Sequence, residues 1–320
     1  MTQVVTLGET MALLNTPAQG RVTAGSALPV GIGGAESNVA IGLARLDVPC
    51  TWISRVGDDA LGSLVTREIR AEGVRVVAHR DPEAPTGLML KEMRGGKPWR
   101  VRYYRRDSAA SRLSTSDIDE SLIAAADIVH LTGITAALGP GPLGTLDHVI
   151  ELARAKGTLI SFDVNHRATL WSPQEASPVL ARLAAAADVL FAGPEEAALL
   201  LGRDPGEPSF ESGEELAHAL AETGPRTVVV KLGAVGSLAL HGGQVHRAAA
   251  VPVTVVDPVG AGDAFVAGYL SGLVAGSSTP ECLRIGNAAG AAVCGVPGDW
   301  EGLPTRAELE SQAFAGEVVR

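Results

Sequence analysis

A glycine-rich segment that ends in an aspartate is the part of the chain best equipped for chemistry. Residues 257–263 read DPVGAGD; they follow the β-branched run VTVV at 253–256 and precede a helical pattern. We expect a strand over 253–256, a tight turn, and a helix that begins at Asp263. Such a turn would direct the backbone N–H groups of Gly260, Ala261 and Gly262 at one point, together with the positive end of a helix dipole.

An anion site next to a carboxylate is the minimum equipment for phosphoryl transfer. The N–H groups would stabilise the transferring phosphoryl, and Asp263 could accept the proton of an attacking hydroxyl. On this segment alone, a plain glycine turn with an aspartate that caps the following helix fits as well.

Three further segments carry glycine or amide groups suited to a ligand. Gly33 and Gly34 precede a helical pattern, and Asn38 lies in its first turn, which fits either a ligand-binding loop or an ordinary helix entry. Residues 231–237 (KLGAVGS) fit either a nucleotide-binding loop or a common glycine hairpin. Asn287 lies on an Ala/Gly-rich helical stretch and fits either a ligand contact or a helix-packing hydrogen bond.

The elements that must position these groups alternate along the chain. Apolar, β-branched runs occur at 4–8, 51–56, 127–132, 158–164, 188–193 and 227–232. Helical patterns separate several of them, at 36–46, 141–156, 178–187 and 213–223. This alternation predicts a largely parallel sheet with helices on both faces, and ligands then bind at the carboxyl ends of the strands.

Two stretches interrupt the alternation and are typical of antiparallel strands. One is residues 9–31, and the other is a hairpin with arms at 86–93 and 97–105 around a turn at 94–96. In the second arm, aromatic and cationic side chains share a face by the period-two rule, which favours a small lid over a polar ligand or a contact with another subunit.

Composition limits the choice of partners and location. The chain has 320 residues, 46% of them hydrophobic, and a net charge of −10, which argues against a nucleic-acid partner. No apolar run approaches the roughly 18 residues of a membrane span, so we expect a cytoplasmic protein without membrane contact. Three scattered cysteines make a disulfide framework or a zinc site improbable. An acidic protein with anionic ligands should concentrate arginine in its cleft.

The sequence lacks the motifs of several other enzyme classes. The chain has no Gly-x4-Gly-Lys-Ser/Thr phosphate loop and no Gly-x-Ser-x-Gly elbow. Phe265 stands where a dinucleotide fingerprint would need its third glycine after Gly260 and Gly262.

Residues 257–263 resemble the C-terminal signature of the PfkB, or ribokinase-like, carbohydrate kinases, and residues 33–40 (GGAESNVA) resemble the N-terminal one. The resemblance extends from residue 8 to about residue 303. It implies an α/β fold: a three-layer α/β/α sandwich with a mostly parallel central sheet and a small β-sheet lid. We expect one kinase domain over 1–320, with lid insertions at about 9–31 and 86–105.

The resemblance also implies the roles of individual residues. Asp263 is the expected base, ATP and Mg²⁺ are the expected cofactors, and a monovalent-cation requirement is left open. Glu196 would act on Mg²⁺ through water, although Gly193 replaces the family's usual Asn and Pro258 its usual Thr. The residues implied for the nucleotide are Gly193, Lys231, Gly233, Gly236, Gly260, Ala261, Gly262 and Asn287.

The sugar side resembles 2-keto-3-deoxygluconate (KDG) kinases in three segments, at 103–111, 163–171 and 298–302. Two arginines near a tyrosine hydroxyl suit a substrate carboxylate, although Arg105 also fits a rim salt bridge, Arg167 a contact to ATP, and Asp299 a plain turn. The residues implied for the sugar are Gly33, Gly34, Asn38, Tyr103, Arg105, Asn165, Arg167, Asp263 and Asp299.

We therefore expect an enzyme that phosphorylates the terminal hydroxyl of KDG to give the 6-phosphate. The alternatives are a kinase of the same family for fructose, ribose or the galacto epimer of KDG, and a non-catalytic sugar-binding or regulatory protein. Because lids of this family often form dimer contacts, the resemblance also implies a homo-oligomer through the lid.

Overall fold

The computed structural model describes residues 3–16, 22–94 and 97–311. Within them, a nine-stranded sheet has the order β13-β12-β11-β10-β9-β8-β1-β4-β5. Strands β1 to β11 of this sheet are parallel, while β12 and β13 are antiparallel to their neighbours. The strands are β1 (Val4–Leu7), β4 (Cys50–Gly57), β5 (Arg75–Asp81), β8 (Ile128–Thr132), β9 (Leu159–Asp163), β10 (Val189–Ala192), β11 (Thr227–Lys231), β12 (Gly236–His241) and β13 (Gln244–Ala249).

A second, four-stranded sheet has the order β3-β2-β6-β7, and we refer to it as the lid. Its strands are β2 (Met11–Asn15), β3 (Val30–Gly33), β6 (Leu88–Arg94) and β7 (Lys97–Tyr104). The pairs β2–β3 and β6–β7 are antiparallel, as the sequence predicts, but β2 joins β6 in parallel, which the hairpin patterns alone did not indicate. Two residues of the predicted turn, 95 and 96, lie outside the described residues.

Helices cover both faces of the large sheet. They are α1 (Ala35–Arg45), α2 (Ala60–Ala71), α3 (Glu120–Ala125), α4 (Gly133–Ala136), α5 (Pro140–Lys156), α6 (Pro173–Ala185), α7 (Pro194–Leu201), α8 (Phe210–Ala221), α9 (Ala261–Val274), α10 (Thr279–Cys294) and α11 (Arg306–Glu310). One apolar core unites α3, α5, α6, α7 and α8 with one face of the sheet, and a second unites α1, α2, α9 and α10 with the other. The predicted three layers are confirmed. The inner strands are mostly apolar, as in VLFA of β10, because both of their faces are buried, whereas the edge strands β5 and β13 carry polar and charged residues.

All six predicted strands of the parallel sheet are present, within one or two residues of their expected bounds. The helix expected at 178–187 begins earlier, at Pro173, because Ser172 and Glu175 form a capping box there. Across the described part of the chain, no helix combines the length and the apolar character needed to cross a membrane.

The prediction of a strand over 253–256 is wrong. Those residues form no strand, and Val253 and Val255 are exposed. The chain there runs beside the end of α10, where the N–H groups of Val256 and Asp257 donate to the Cys294 carbonyl at 2.8 and 3.3 Å. The edge of the large sheet is β13, so the segment finds its backbone partner on a helix end instead of a strand.

Candidate active site

A cleft of about 550 Å³ lies between the lid and the carboxyl ends of the central strands. Its walls include the starts of α1 and α9 on one side and the lid residues Met11 and Met89 on the other. The structure brings nine of the residues predicted from the sequence to this cleft: Gly33, Gly34, Asn38, Tyr103, Arg105, Arg167, Gly260, Asp263 and Asp299. Asn165 is buried, has a φ of +43°, and is absent from the lining.

The turn before α9 requires glycine at position 260. Gly260 has a φ of +80°, and a Cβ there would overlap the carbonyl group of Asp299. The helix begins at Ala261, two residues before the predicted start at Asp263, because Gly260 already closes the first helical hydrogen bond by accepting from the Ala264 N–H at 2.9 Å. The Ala261 N–H, which was predicted to face the phosphoryl, instead donates to the Pro258 carbonyl at 3.3 Å. Among the described residues, the N–H groups of Gly262 and Asp263 have no acceptor, as expected in a first helical turn. An anion can therefore bind at this helix start.

Asp263 lies in this first turn with its carboxylate buried. Its Oδ2 accepts a hydrogen bond from Nδ2 of Asn38 at 2.8 Å. Burial, assisted by the charge of Asp163, raises the pKa of Asp263 to about 7, against the opposing effects of Asn38, Arg167 and Lys231. A carboxylate with a pKa close to neutrality can accept a hydroxyl proton and release it again.

The paired glycines of the N-terminal motif make room for protein atoms as well as for a ligand. A Cβ on Gly33 would collide with Oδ2 of Asp299 and with Met89, and one on Gly34 would collide with the backbone of Glu9 and Thr10. Because Asp299 and Met89 themselves line the cleft, the glycines set how closely the lid and the start of α1 approach each other.

The two predicted arginines differ in their surroundings. Arg105 is buried and pairs with Glu9, Nε to Oε2 at 2.6 Å, while Ser108 Oγ donates to the other oxygen of Glu9 at 2.5 Å. Arg105 therefore forms a salt bridge, as one alternative predicted, but the pair is buried and not at the rim. Because a guanidinium has five N–H donors, Arg105 keeps further donors for a ligand. Arg167 is exposed at the cleft, and its side chain has no hydrogen bond or ion pair within the described ranges.

Lys231 brings a positive charge next to the start of α9. It ends β11, and its Nζ donates to both carboxylate oxygens of Asp163, which ends β9, at 2.9 and 2.7 Å. A Cβ on Gly262 would lie 3.7 Å from that Nζ. The Asp163 and Glu196 charges raise the pKa of Lys231 despite its burial, so the ammonium stays charged. It contributes to the positive potential at the anion site.

The remaining nucleotide-side residues form two local structures. Gly233 and Gly236 have φ values of +59° and +126° in the turn between β11 and β12. Asn287 accepts from Ser237 Oγ at 3.0 Å and donates to the carbonyls of Ala248 and Ala249, each at 3.1 Å. Its polar atoms are therefore already occupied by protein, as the helix-packing alternative requires.

Glu196 is held by two backbone N–H groups at the start of α7. Gly193 donates to Oε2 at 2.7 Å, and His166 donates to Oε1 at 3.1 Å. Within residues 3–16, 22–94 and 97–311, no group of three or more His, Cys, Asp or Glu side chains is arranged to hold a metal ion. The carboxylate fits the role of accepting hydrogen bonds from metal-bound waters, since each oxygen keeps a free lone pair.

The family of the chain follows from its whole length. The pfkB family of carbohydrate kinases matches residues 1–306. The chain belongs to this family. The 2-dehydro-3-deoxygluconokinase of Bacillus subtilis is 40% identical over 329 residues, which cover 98% of this chain and 96% of that protein. The 2-dehydro-3-deoxygalactonokinase of Haloferax volcanii is 35% identical over 298 residues, covering 93% and 92%.

A solved structure of a PfkB protein shares the fold. The crystal structure of a PfkB protein from Polaromonas sp. JS666 superposes with a TM-score of 0.86 at 35% identity, covering 97% of this chain and 100% of that one. The ribokinase-like architecture implied by the two signatures is therefore confirmed.

Three charged residues in or beside the pfkB-type cleft escaped the sequence reasoning. Glu9 follows β1 by two residues, Asp163 ends β9, and Lys91 lies on β6 of the lid. The first two had a usable signal, since carboxylates at the carboxyl ends of parallel strands gather at the ligand edge. Lys91 had a weaker one: it interrupts a period-two apolar face that also contains Met89.

Proposed function

We propose that this member of the pfkB family is an ATP-dependent kinase that phosphorylates the terminal hydroxyl of KDG, with Asp263 as the base. The observation that carries the proposal is the buried carboxylate of Asp263, with a pKa of about 7, in the first turn of α9 beside unpaired N–H groups. A proton acceptor and an anion site within one helical turn are what transfer of a phosphoryl group to a hydroxyl requires.

In the proposed reaction, the terminal oxygen of the sugar attacks the γ-phosphorus of ATP. The new P–O bond forms as the bond to the ADP oxygen breaks, and the hydroxyl proton passes to Asp263. The N–H groups of Gly262 and Asp263 and the ammonium of Lys231 stabilise the charge on the transferring phosphoryl. The products are the 6-phosphate and ADP, and Asp263 returns its proton to solvent.

Mg²⁺ would arrive on the phosphates of ATP and neutralise part of their charge. Glu196 is the carboxylate that would accept hydrogen bonds from its waters. Gly193 supplies no side-chain contact to the phosphates in place of the family's usual Asn, which leaves Lys231 as the neighbouring charged contact. Gly233 and Gly236 would allow the backbone to lie against the nucleotide.

The choice of a sugar acid rests on the cations of the cleft. Arg167 is a positive side chain without a hydrogen-bond or ion-pair partner among the described residues, and a substrate carboxylate would supply one in bidentate geometry. Arg105 and the Tyr103 hydroxyl offer further donors on the lid side. A neutral hexose would leave Arg167 unpaired. The relatives from Bacillus subtilis and Haloferax volcanii carry names for two epimeric sugar acids, and both epimers are candidates.

The test is an ADP-release assay with Mg-ATP on KDG, its galacto epimer, fructose and ribose, with phosphorus NMR to place the new phosphate. We expect turnover on KDG with phosphate on the terminal oxygen. Full activity on fructose with none on either sugar acid would refute the substrate, and no turnover on any member of the panel would favour the non-catalytic alternative.

The lid also bears on assembly, and we propose a homo-oligomer that contacts through it. The lid exposes two large aromatic side chains, Trp99 at 56% and Tyr104 at 59%. Such exposure on a small sheet favours an apolar contact with a second copy. Light scattering coupled to size exclusion, on the wild type and on a variant with Trp99→Glu and Tyr104→Glu, should show an oligomer that the double variant loses.

A further inference from the structure

A lysine without a role in the reaction above lies buried between the lid and the body of the molecule. Lys91 is on β6, an inner strand of the lid, and its side chain is 2% exposed. Its Nζ donates to Oδ2 of Asp257 at 2.7 Å and to Oδ1 of Asp299 at 2.9 Å. Burying an ammonium ion is costly, so a lysine in this position needs partners of opposite charge and gains them only while the lid rests on the body.

Both partners belong to the structure around the anion site. Oδ1 of Asp257 accepts from the Val259 N–H at 3.1 Å, and its Oδ2 accepts from the Gly298 N–H at 3.2 Å. This carboxylate thus joins the turn before α9 to the segment that carries Asp299. The backbone of Asp299 packs directly on Gly260. A displacement of Asp257 would therefore move the turn whose N–H groups bind the phosphoryl.

Asp299 contacts two strands of the lid, β6 and β3, through its carboxylate oxygens. Oδ1 receives Lys91, while Oδ2 lies against Gly33, and the residue lines the cleft. Burial raises the pKa of Asp299, and the adjacent Asp257 and Glu301 act in the same direction, while the charge of Lys91 opposes them. Two buried carboxylates that contact the same ammonium lie close enough to repel each other, and the charge of Lys91 between them offsets that repulsion.

We propose that Lys91 is a positioning residue for the kinase reaction: an ammonium carried by the lid that orders Asp257 and Asp299 and takes the place of a free monovalent cation at this carboxylate pair. The proposal rests on the proposed kinase function. It also makes lid closure and ordering of the anion site a single event, because the cation arrives with the lid. The wild-type enzyme then needs no added K⁺ or NH₄⁺.

The test compares Lys91→Met with the wild type on whichever sugar the panel shows to be phosphorylated. Tetramethylammonium chloride keeps the ionic strength constant while K⁺, NH₄⁺ or methylammonium replaces it. We expect kcat/KM of Lys91→Met to fall by at least about 30-fold, the usual scale for removing one partner of a buried charge pair. Small cations should restore a large part of it, and tetramethylammonium should not. The wild type should be indifferent to all of them.

The matched control is Arg102→Met, which removes an exposed lid cation that lies 3.6 Å from a carboxylate oxygen of Glu92. It should behave as the wild type in every salt. Wild-type kinetics for Lys91→Met, or a loss that small cations do not reverse in a variant with a normal melting temperature, would overturn the inference. A wild-type enzyme that requires K⁺ would also overturn the inference. This second measurement needs only the wild type, so it decides the matter even if Lys91→Met does not fold. Absence of wild-type turnover on KDG, by contrast, counts against the substrate proposed above and not against Lys91.

Discussion

Asn38 Nδ2 donates a hydrogen bond of 2.8 Å to Oδ2 of Asp263, and the two residues are 225 positions apart in the sequence. The contact joins the first turn of α1 to the first turn of α9, the two helix starts that line the cleft. It orients the carboxylate and favours its charged form. The N-terminal and C-terminal motifs of the chain are therefore one unit of the site.

Replacing the base should abolish most of the chemistry and leave the fold intact. We expect Asp263→Asn to lower kcat by at least about 100-fold, since a positioned base contributes on the order of 10² to 10⁴. Binding of ATP, measured by calorimetry, should change little. Asp204→Asn, at an exposed site, serves as the control. A variant of Asp263 that keeps wild-type turnover would contradict the assignment.

The rate should depend on the ionisation of Asp263. Because the base must be charged, kcat/KM should rise with pH through about 7 in the wild type. Asn38→Ala removes a hydrogen bond that lowers the pKa of Asp263, so its rising limb should lie at higher pH. The measurement is a pH profile with saturating Mg-ATP. Ser37→Ala should leave the limb in place, and an unmoved limb in Asn38→Ala would contradict the role of the contact.

Asp263 should also destabilise the fold at alkaline pH. Its pKa in the folded state lies above the ordinary value of 3.8, so the folded state binds its proton more tightly than the unfolded chain does. Stability from this residue is complete below about 3.8 and is lost as the pH rises through about 7. Asp263→Asn should accordingly melt at a higher temperature than the wild type at pH 8, with a smaller difference at pH 5. An equal difference at both values would argue against the raised pKa.

The two arginines of the cleft should respond differently to removal. Arg167→Met should raise KM for KDG by at least about tenfold, because a charge-assisted contact to the carboxylate is lost. Stability should change little, since the exposed Arg167 side chain has no hydrogen bond or ion pair with the described residues. Arg203→Met, at an exposed site, is the control. An unchanged KM for KDG would place Arg167 elsewhere in the reaction.

Arg105→Met should reduce stability. It leaves the buried Glu9 carboxylate without its cationic partner, although Ser108 still donates to it, and this loss costs about 3 kcal/mol in free energy of unfolding. Denaturant titration measures this cost. A fully stable Arg105→Met would show that the pair with Glu9 contributes little.

Much of the fold could be predicted because the inner parallel strands are mostly apolar on both faces and the helices are separated by glycine and polar turns. The strand expected at 253–256 failed for a tertiary reason: β-branched residues there bond to the end of α10. Asp263 and Asn38 were predicted because each lies in a recognisable motif. Asp163 and Lys231 could not be paired in advance, since their contact depends on β10 lying between β9 and β11. Single charged residues on separate elements reveal their partners only in the fold.

The lid is assembled from two stretches separated by more than fifty residues, since β2 and β3 precede β6 and β7 and β2 pairs with β6. During synthesis the first two strands therefore emerge long before their sheet can be completed. Until β6 follows, the edge of β2 is open, and an open edge can pair with the wrong strand. We expect the lid to fold late, so that the large sheet and its helices form well before the lid completes the cleft that selects the sugar.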